Sequence, residues 1–158
     1  MLQGGMFLGA SGALAAALAI PAGATSEDLE TEQITGVWMS VVSAADKSFP
    51  SFAAIEVYGE RIWLGSGQGD LTPAALASTL WGVFRRIGRR KYRGSGRFWT
   101  YDPAANPTGL AAVDMITTVS EDGKAYHGVG SMQLFDNNGN PLGPATPIND
   151  DGVRVSFP

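Results

Sequence analysis

The chain has 158 residues, which is room for one ordinary domain after an N-terminal leader. It contains no cysteine and a single histidine, His127, so disulfides, cysteine nucleophiles and thiolate metal sites are excluded; we expect neither a metal nor a cofactor. A formal net charge of −4 gives no general attraction to nucleic acid, and 21 glycines with 9 prolines are typical of an all-β domain with many tight turns.

Residues 1–24 have the character of an export leader. An apolar run rich in Ala, Leu and Gly ends at Pro21, and residues 22–24 (Ala-Gly-Ala) fit a small-x-small cleavage pattern. An uncleaved membrane anchor is the alternative, but the run is short for a span and has no stop-transfer flank. We therefore predict an exported protein, periplasmic or extracellular, cleaved after Ala24.

The export route stays open because the leader has no basic n-region; the first positive residue is Lys47. Residues 6–8 (Met-Phe-Leu) and the Gly/Ala/Ser run after them resemble a twin-arginine export signal in which residues 4–5 are glycines. Residues 25–33 are acidic and poor in apolar surface, which predicts a solvated tether.

From residue 34 onward the pattern has a period of two. It predicts eight strands, at residues 34–43, 52–58, 60–66, 80–88, 90–102, 110–120, 125–136 and 145–156. Residues that tolerate positive φ lie between several of these strands, so consecutive strands should be antiparallel neighbours. A helix signal is confined to residues 72–78. We predict an all-β fold, an eight-stranded antiparallel up-and-down barrel with at most one short helix, formed by a single domain of residues 34–158.

Residues 36–38 (Gly-Val-Trp) begin the first strand, Arg154 lies on the last strand, and aromatic residues recur at 80–84 and 98–102. In these features the chain resembles the calycin-type small barrels, which include lipocalins and a set of exported bacterial lipocalin-like proteins. In lipocalins a first-strand Gly-x-Trp packs its indole under an Arg or Lys near the chain end. The resemblance implies that Arg154 stacks on Trp38 and closes one end of the barrel.

The chain departs from secreted animal lipocalins because it has no cysteine and no long C-terminal helix, so retinoid or pheromone carriage is not implied. The same barrel shape is similar, more distantly, to allene oxide cyclase-like barrels and bacterial polyketide cyclases. That likeness implies a cavity in which a reactive substrate is held in shape by few catalytic groups.

Two polar residues are candidates for acid–base chemistry if the protein is an enzyme. Asp114 lies between Val113 and Met115, and a carboxyl facing a dry interior would have a raised pKa. The alternative is that Asp114 points outward into solvent. Tyr101 ends the fifth predicted strand, where a phenol could orient a ligand carbonyl or simply form an aromatic rim contact.

Large apolar residues and one small one are candidates to line a ligand cavity: Trp63, Trp81, Phe98, Met115, Gly130, Met132 and Leu134. Strand alternation means that they cannot all face inside. A barrel of eight strands either fills with side chains or holds one small ligand.

Residues 85–93 concentrate six positive charges on an acidic background: Arg85, Arg86, Arg89, Arg90, Lys91 and Arg93. This run could contact an anionic membrane surface. Alternatively it is a solvated hairpin tip whose charges discourage edge-to-edge association.

The leading functional hypothesis is non-catalytic binding of a small hydrophobic molecule in the barrel, outside the cytoplasm. The first alternative is a cofactor-free cyclase or isomerase that uses Asp114 or Tyr101. The second is a structural or oligomer-forming envelope protein that uses outer aromatic side chains as a contact surface. The sequence leaves the ligand and the oligomeric state open.

Overall fold

The computed structural model describes residues 33–67 and 76–156. The predicted leader (1–24), nearly all of the predicted tether and the first four residues of the predicted helix lie outside these ranges. The described ranges contain no helix, and so no helix there that is long and apolar enough to cross a membrane. Residues 76–78 are extended instead, and Ala77 forms an isolated antiparallel bridge with Thr100.

Eight antiparallel strands form one closed barrel in sequence order, which confirms the predicted fold class. The strands are β1 (Gly36–Ala44), β2 (Phe52–Gly59), β3 (Ile62–Gly67), β4 (Leu80–Gly88), β5 (Lys91–Tyr101), β6 (Pro107–Val119), β7 (Ala125–Asp136) and β8 (Thr146–Arg154). The barrel closes because β1 pairs with β2 on one side and with β8 on the other. This architecture is compatible with a calycin-like small barrel.

The turn between β2 and β3 shows how the hairpins are made. Gly59 pairs with Ile62, and the two loop residues between them, Glu60 and Arg61, have φ of 48° and 71°. Two successive positive φ angles give the turn whose twist matches the flanking strands. The positive φ angles therefore fall on two non-glycine residues, at a cost of roughly 1–2 kcal/mol per residue.

One end of the barrel, which we call the Trp38 end, is where β1 begins and β8 ends. The Trp38 indole N–H donates to the Ile34 carbonyl (2.8 Å), and the Arg154 guanidinium carbon lies 4.3 Å from the centroid of the Trp38 ring. Arg154 also donates to the carbonyls of Gly123 (2.7 Å), Thr35 (2.6 Å) and Gln33. The Trp38–Arg154 contact expected from the sequence is therefore present, with added hydrogen bonds to three backbone carbonyls.

Inward-facing glycines give space to large neighbouring side chains. A Cβ at Gly94 would lie 3.0 Å from the Trp63 ring, and one at Gly128 would lie 3.0 Å from the Met115 sulfur. At these positions the space that a side chain would fill is taken by the Trp63 ring of β3 and the Met115 side chain of β6. These glycines therefore serve dense packing of the interior.

The outer surface of β8, β1 and β2 is unusually apolar. Met39 pairs directly with Val153 on one side and with Ile55 on the other, and all three side chains are exposed. Successive side chains alternate between the two faces of a strand, and the inward positions of these same strands include the buried polar residues Ser40, Glu56 and Asp150. These inward polar residues form the candidate site.

Candidate functional site

The two predicted catalytic residues do not form a site. Asp114 lies on the outer face of β6 and is exposed, since its neighbours Val113 and Met115 fill the interior and alternation turns Asp114 outward. The inward placement considered for Asp114 is therefore wrong. Tyr101 is half-buried and pairs with Pro107 at the start of β6, far from Asp114 along that strand.

The predicted lining residues divide between the two faces. Trp63 and Met115 are buried in the core, and Phe98 and Met132 pack against it while staying partly exposed. Trp81 is 66% exposed, since its neighbours Leu80 and Gly82 take the inward positions. Trp81 therefore cannot line a cavity inside the barrel.

The last two predicted lining residues also need correction. Leu134 is 39% exposed near the end of β7. A Cβ at Gly130 would lie 2.1 Å from the Asp114 carbonyl oxygen, so this glycine allows close approach of the β6 and β7 backbones. Neither residue contributes a buried side chain to the interior.

A polar cluster that the sequence analysis missed lies inside the barrel, centred on Glu56 of β2. Glu56 is 4% exposed, and its Oε2 atom accepts from the Tyr58 hydroxyl (2.8 Å) and the Trp63 indole N–H (3.2 Å). The Tyr126 hydroxyl lies 2.9 Å from the same atom and 2.8 Å from Asp150 Oδ2. Four strands thus bring two carboxyl groups, two phenols and one indole into one hydrogen-bonded group, which we call the Glu56 cluster.

The Tyr126 hydroxyl joins the two carboxyl groups and sets their proton count. A phenol has one hydrogen, so Tyr126 can donate to only one of its two carboxyl neighbours. The other contact is a hydrogen bond only if that carboxyl carries a proton and donates to the phenol oxygen. The geometry therefore requires that the two acids share one proton: one carboxyl group donates to Tyr126, and Tyr126 donates to the other.

The electrostatics of the cluster agree with this assignment. Burial, followed by the charge of Asp150, raises the pKa of Glu56 to about 8, against hydrogen bonds from Tyr58, Tyr126 and Trp63 that lower it. Burial raises the pKa of Asp150 less, to about 6, since hydrogen bonds oppose it. Near neutral pH the pair thus shares one proton and carries one negative charge.

Two buried oxygen atoms of the cluster region are unsatisfied. Asp150 is 1% exposed, and its Oδ1 atom has no hydrogen-bond partner among the described residues. Ser40, on the adjacent strand β1, is 4% exposed and close enough to lower the pKa of Asp150. Its hydroxyl oxygen likewise has no partner in hydrogen-bonding geometry there. Buried polar atoms are normally paired, so Asp150 Oδ1 is an acceptor, and the Ser40 hydroxyl a donor and acceptor, available to a ligand.

The opposite end of the barrel, which we call the Phe52 end, is where β1 ends and β2 begins. Four apolar side chains pack against the core there while staying partly exposed: Phe49, Leu80, Phe98 and Met132. Phe49 also contacts Phe52, with ring centroids 6.0 Å apart. The Phe52 end is thus lined by apolar side chains, whereas the Trp38 end is covered by Arg154.

Two surface pockets lie outside the barrel interior. One, of about 350 Å³, is at the Trp38 end and is lined by residues that include Gln33, Glu121 and Arg154. The other, of about 340 Å³, is on the outer face between Arg85, Arg93 and Asp114. Neither contains a member of the Glu56 cluster.

Four of the six residues of the predicted basic run are exposed, namely Arg85, Arg89, Lys91 and Arg93. Arg85 and Arg93 are exposed and directly opposite each other on β4 and β5, whereas Arg86 and Arg90 are half-buried. Arg90 pairs with Glu121, with 3.2 Å between nitrogen and oxygen.

In residues 33–67 and 76–156 no group of three or more His, Asp or Glu side chains is placed to hold a metal ion. The chain matches no known protein-family model. No curated protein matches it either.

Proposed function

We propose that the barrel binds a small, largely hydrophobic molecule in its interior, entering at the Phe52 end. The observation that carries the proposal is the pairing of a partly exposed apolar rim with buried, unsatisfied acceptors behind it. Ligand sites in barrel mouths are mostly apolar, with a few polar groups that fix orientation. The rim would take the apolar body of the ligand, and Asp150 and Ser40 would take its polar group.

The proposal includes a location outside the cytoplasm and a relationship to lipocalin-like proteins. The apolar run before Ala24 supports export, so binding would occur outside the cytoplasm. The stack of Arg154 on Trp38 supports a relationship to exported lipocalin-like carriers, because that stack is the feature on which the resemblance depends.

A thermal-shift experiment on the full chain tests the binding proposal. A molecule that binds only the folded state stabilises it by about 2.7 kcal/mol at a hundredfold excess over Kd, so a saturating fatty acid, terpenoid or aryl compound should raise the melting midpoint. Failure of every compound in such a library to shift the midpoint would overturn the proposal.

Phe98 and Trp99 provide a matched pair of variants that locates the binding site. Phe98 packs against the core at the Phe52 end, whereas its neighbour Trp99 is exposed on the outer face. Phe98→Ala should weaken binding by about tenfold, the loss expected from roughly 1.4 kcal/mol of apolar contact. Trp99→Ala should leave binding unchanged, and the reverse result would place the ligand outside the barrel.

A cofactor-free isomerase or cyclase is the second candidate, and the shared proton of the Glu56 cluster favours it. A protonated Glu56 and an ionised Asp150 connected by Tyr126 are a general acid and a general base at neutral pH. These residues take the place of Asp114 and Tyr101 in that hypothesis. The test is recovery of the bound compound: a rearranged product that Glu56→Gln no longer forms would favour catalysis over carriage.

A further inference from the structure

No cationic side chain of the described residues acts on the buried acids of the Glu56 cluster. The groups that act on Glu56 are Asp150, Tyr58, Tyr126 and Trp63, and those that act on Asp150 are Tyr126, Ser40, Glu56 and the outer-face Asp151, which raises its pKa. None of these is a lysine, arginine or histidine. The nearest arginine on β8 is Arg154, whose guanidinium lies over Trp38 and donates to backbone carbonyls.

The hydrogen-bond count shows which kind of atom is missing. The donors of Tyr58 and Trp63 are used by Glu56, and the one hydrogen of Tyr126 is used within the chain of acids. Among the described residues Asp150 Oδ1 has no partner in hydrogen-bonding geometry, and the Ser40 hydroxyl that acts on Asp150 carries no countercharge. An uncompensated buried charge is costly. A ligand N–H group with a positive charge would supply both the donor and the countercharge.

The side chains around the acids also suit a cation. Tyr58 and Trp63 are stacked, with ring centroids 5.9 Å apart, and Tyr126 lies 6.3 Å from Tyr58 and 5.0 Å from Trp38. Aromatic faces attract ammonium groups by roughly 0.5–2 kcal/mol. An anionic ligand would meet like charge in the same place, and an alcohol would supply a donor without a countercharge.

We propose that the ligand of the barrel is a protonated amine with an apolar body, whose nitrogen binds at Asp150 Oδ1 and Ser40 and whose body lies toward the Phe52 end. This proposal rests on the proposed function, because it names the chemical class that the same interior site selects.

Titration calorimetry with matched probes tests it on the full chain. The probes are 2-phenylethylamine against 2-phenylethanol, and octylamine against octan-1-ol, which differ in the polar group and share the apolar body. At pH 7 each amine should bind at least tenfold more tightly than its alcohol. Asp150→Asn should abolish this preference, whereas Asp151→Asn, on the outer face of the same strand, should retain it.

The affinity of the unmodified protein at different pH values tests the proposal without a variant that could fail to fold. Amine affinity should rise as the pH increases from 5 to 7, by up to about tenfold per unit, as Asp150 loses its proton. Alcohol affinity should stay constant over this range. An amine affinity that does not change with pH would overturn the proposal.

Failure of the amine proposal can be told apart from failure of binding itself. Equal affinity for amine and alcohol, or binding only of the fatty acid or terpenoid probes, would overturn amine selection and leave a hydrophobic carrier. Absence of binding for every probe in both experiments would overturn both proposals.

Discussion

The Tyr126 ring occupies the space that a side chain at position 152 would need. A Cβ at Gly152 would lie 2.1 Å from the Tyr126 ring. Gly152 is on β8 and pairs directly with Tyr126 on β7. The glycine therefore lets the ring reach across its partner strand and place its hydroxyl between Glu56 and Asp150.

Gly152→Ala should destabilise the barrel because the added methyl group displaces the Tyr126 ring. Overpacking of this kind typically costs about 1–3 kcal/mol of unfolding free energy. Urea denaturation measures it, and Gly59→Ala is the control, because a Cβ at Gly59 meets nothing within 4 Å. Equal losses of unfolding free energy for the two substitutions would contradict the packing of the Tyr126 ring against Gly152.

The pH dependence of stability should reveal the Glu56 cluster. The folded-state pKa of Glu56 is raised from 4.5 to about 8 and that of Asp150 from 3.8 to about 6, so the folded state holds more protons than the unfolded state between these values. Unfolding free energy should therefore be greatest near pH 4 and fall as the pH rises to 8, by up to about 1.4 kcal/mol per unit for each proton.

Glu56→Gln should flatten this fall between pH 6 and 8, because the amide cannot ionise. Glu60→Gln, in the exposed β2–β3 turn, is the control and should leave the slope unchanged. Chemical denaturation at a series of pH values measures both. An unaltered slope in Glu56→Gln would show that another group holds the proton.

The stack of Arg154 on Trp38 should couple the two residues energetically. Trp38→Ala removes a fully buried side chain and should cost on the order of 3–5 kcal/mol, whereas Arg154→Ala should cost less. A double-mutant cycle in urea should show non-additive losses, because the two side chains are in contact. Strict additivity would show that the stack carries no interaction energy.

The export hypothesis predicts a defined mature end. If the leader is cleaved after Ala24, the exported protein begins at Thr25. Intact-mass measurement on protein from the natural host checks this, with cell fractions analysed separately. A cytoplasmic product that retains residues 1–24 would overturn the export hypothesis.

We propose that the β4–β5 hairpin contacts anionic membrane surfaces through Arg85 and Arg93. These exposed like charges are directly opposite each other, an arrangement that costs stability unless an anion relieves it. At about 1 kcal/mol per charge, changing both to Gln should weaken binding to phosphatidylglycerol vesicles tenfold or more. Arg97→Gln, on the same strand, is the control in a co-sedimentation assay, and equal binding of all three proteins would contradict the proposal.

Local sequence patterns were sufficient to predict the fold. Alternation located all eight strands, and short turn segments made each strand the antiparallel neighbour of the next. β6 begins at Pro107, three residues before the predicted start at 110, because the sequence pattern assigns Pro107 and Thr108 to a loop. Pairing with Tyr101 across a register shift extends the strand to Pro107.

The site was not predicted because a period of two does not say which face is the inner one. In β2, Ile55 and Val57 are apolar and Glu56 is charged, so hydrophobicity alone places Glu56 outside. In the barrel Glu56 faces the interior, and Ile55 and Val57 face outward. The sequence did contain one signal, which is the type of residue two positions away on the same face of the strand. Glu56 shares its face with Tyr58, and Asp150 shares its face with Ile148 and Gly152.

Both ends of the described chain leave the barrel at the same place. Residue 33 is tied to the last strand by Arg154, and the Val155 amide donates to the Val37 carbonyl (2.9 Å). A label attached next to Val155 would therefore lie on the side of the barrel remote from Phe98 and Leu80. The protein could be immobilised through that position for sensing, with its apolar rim facing the solution.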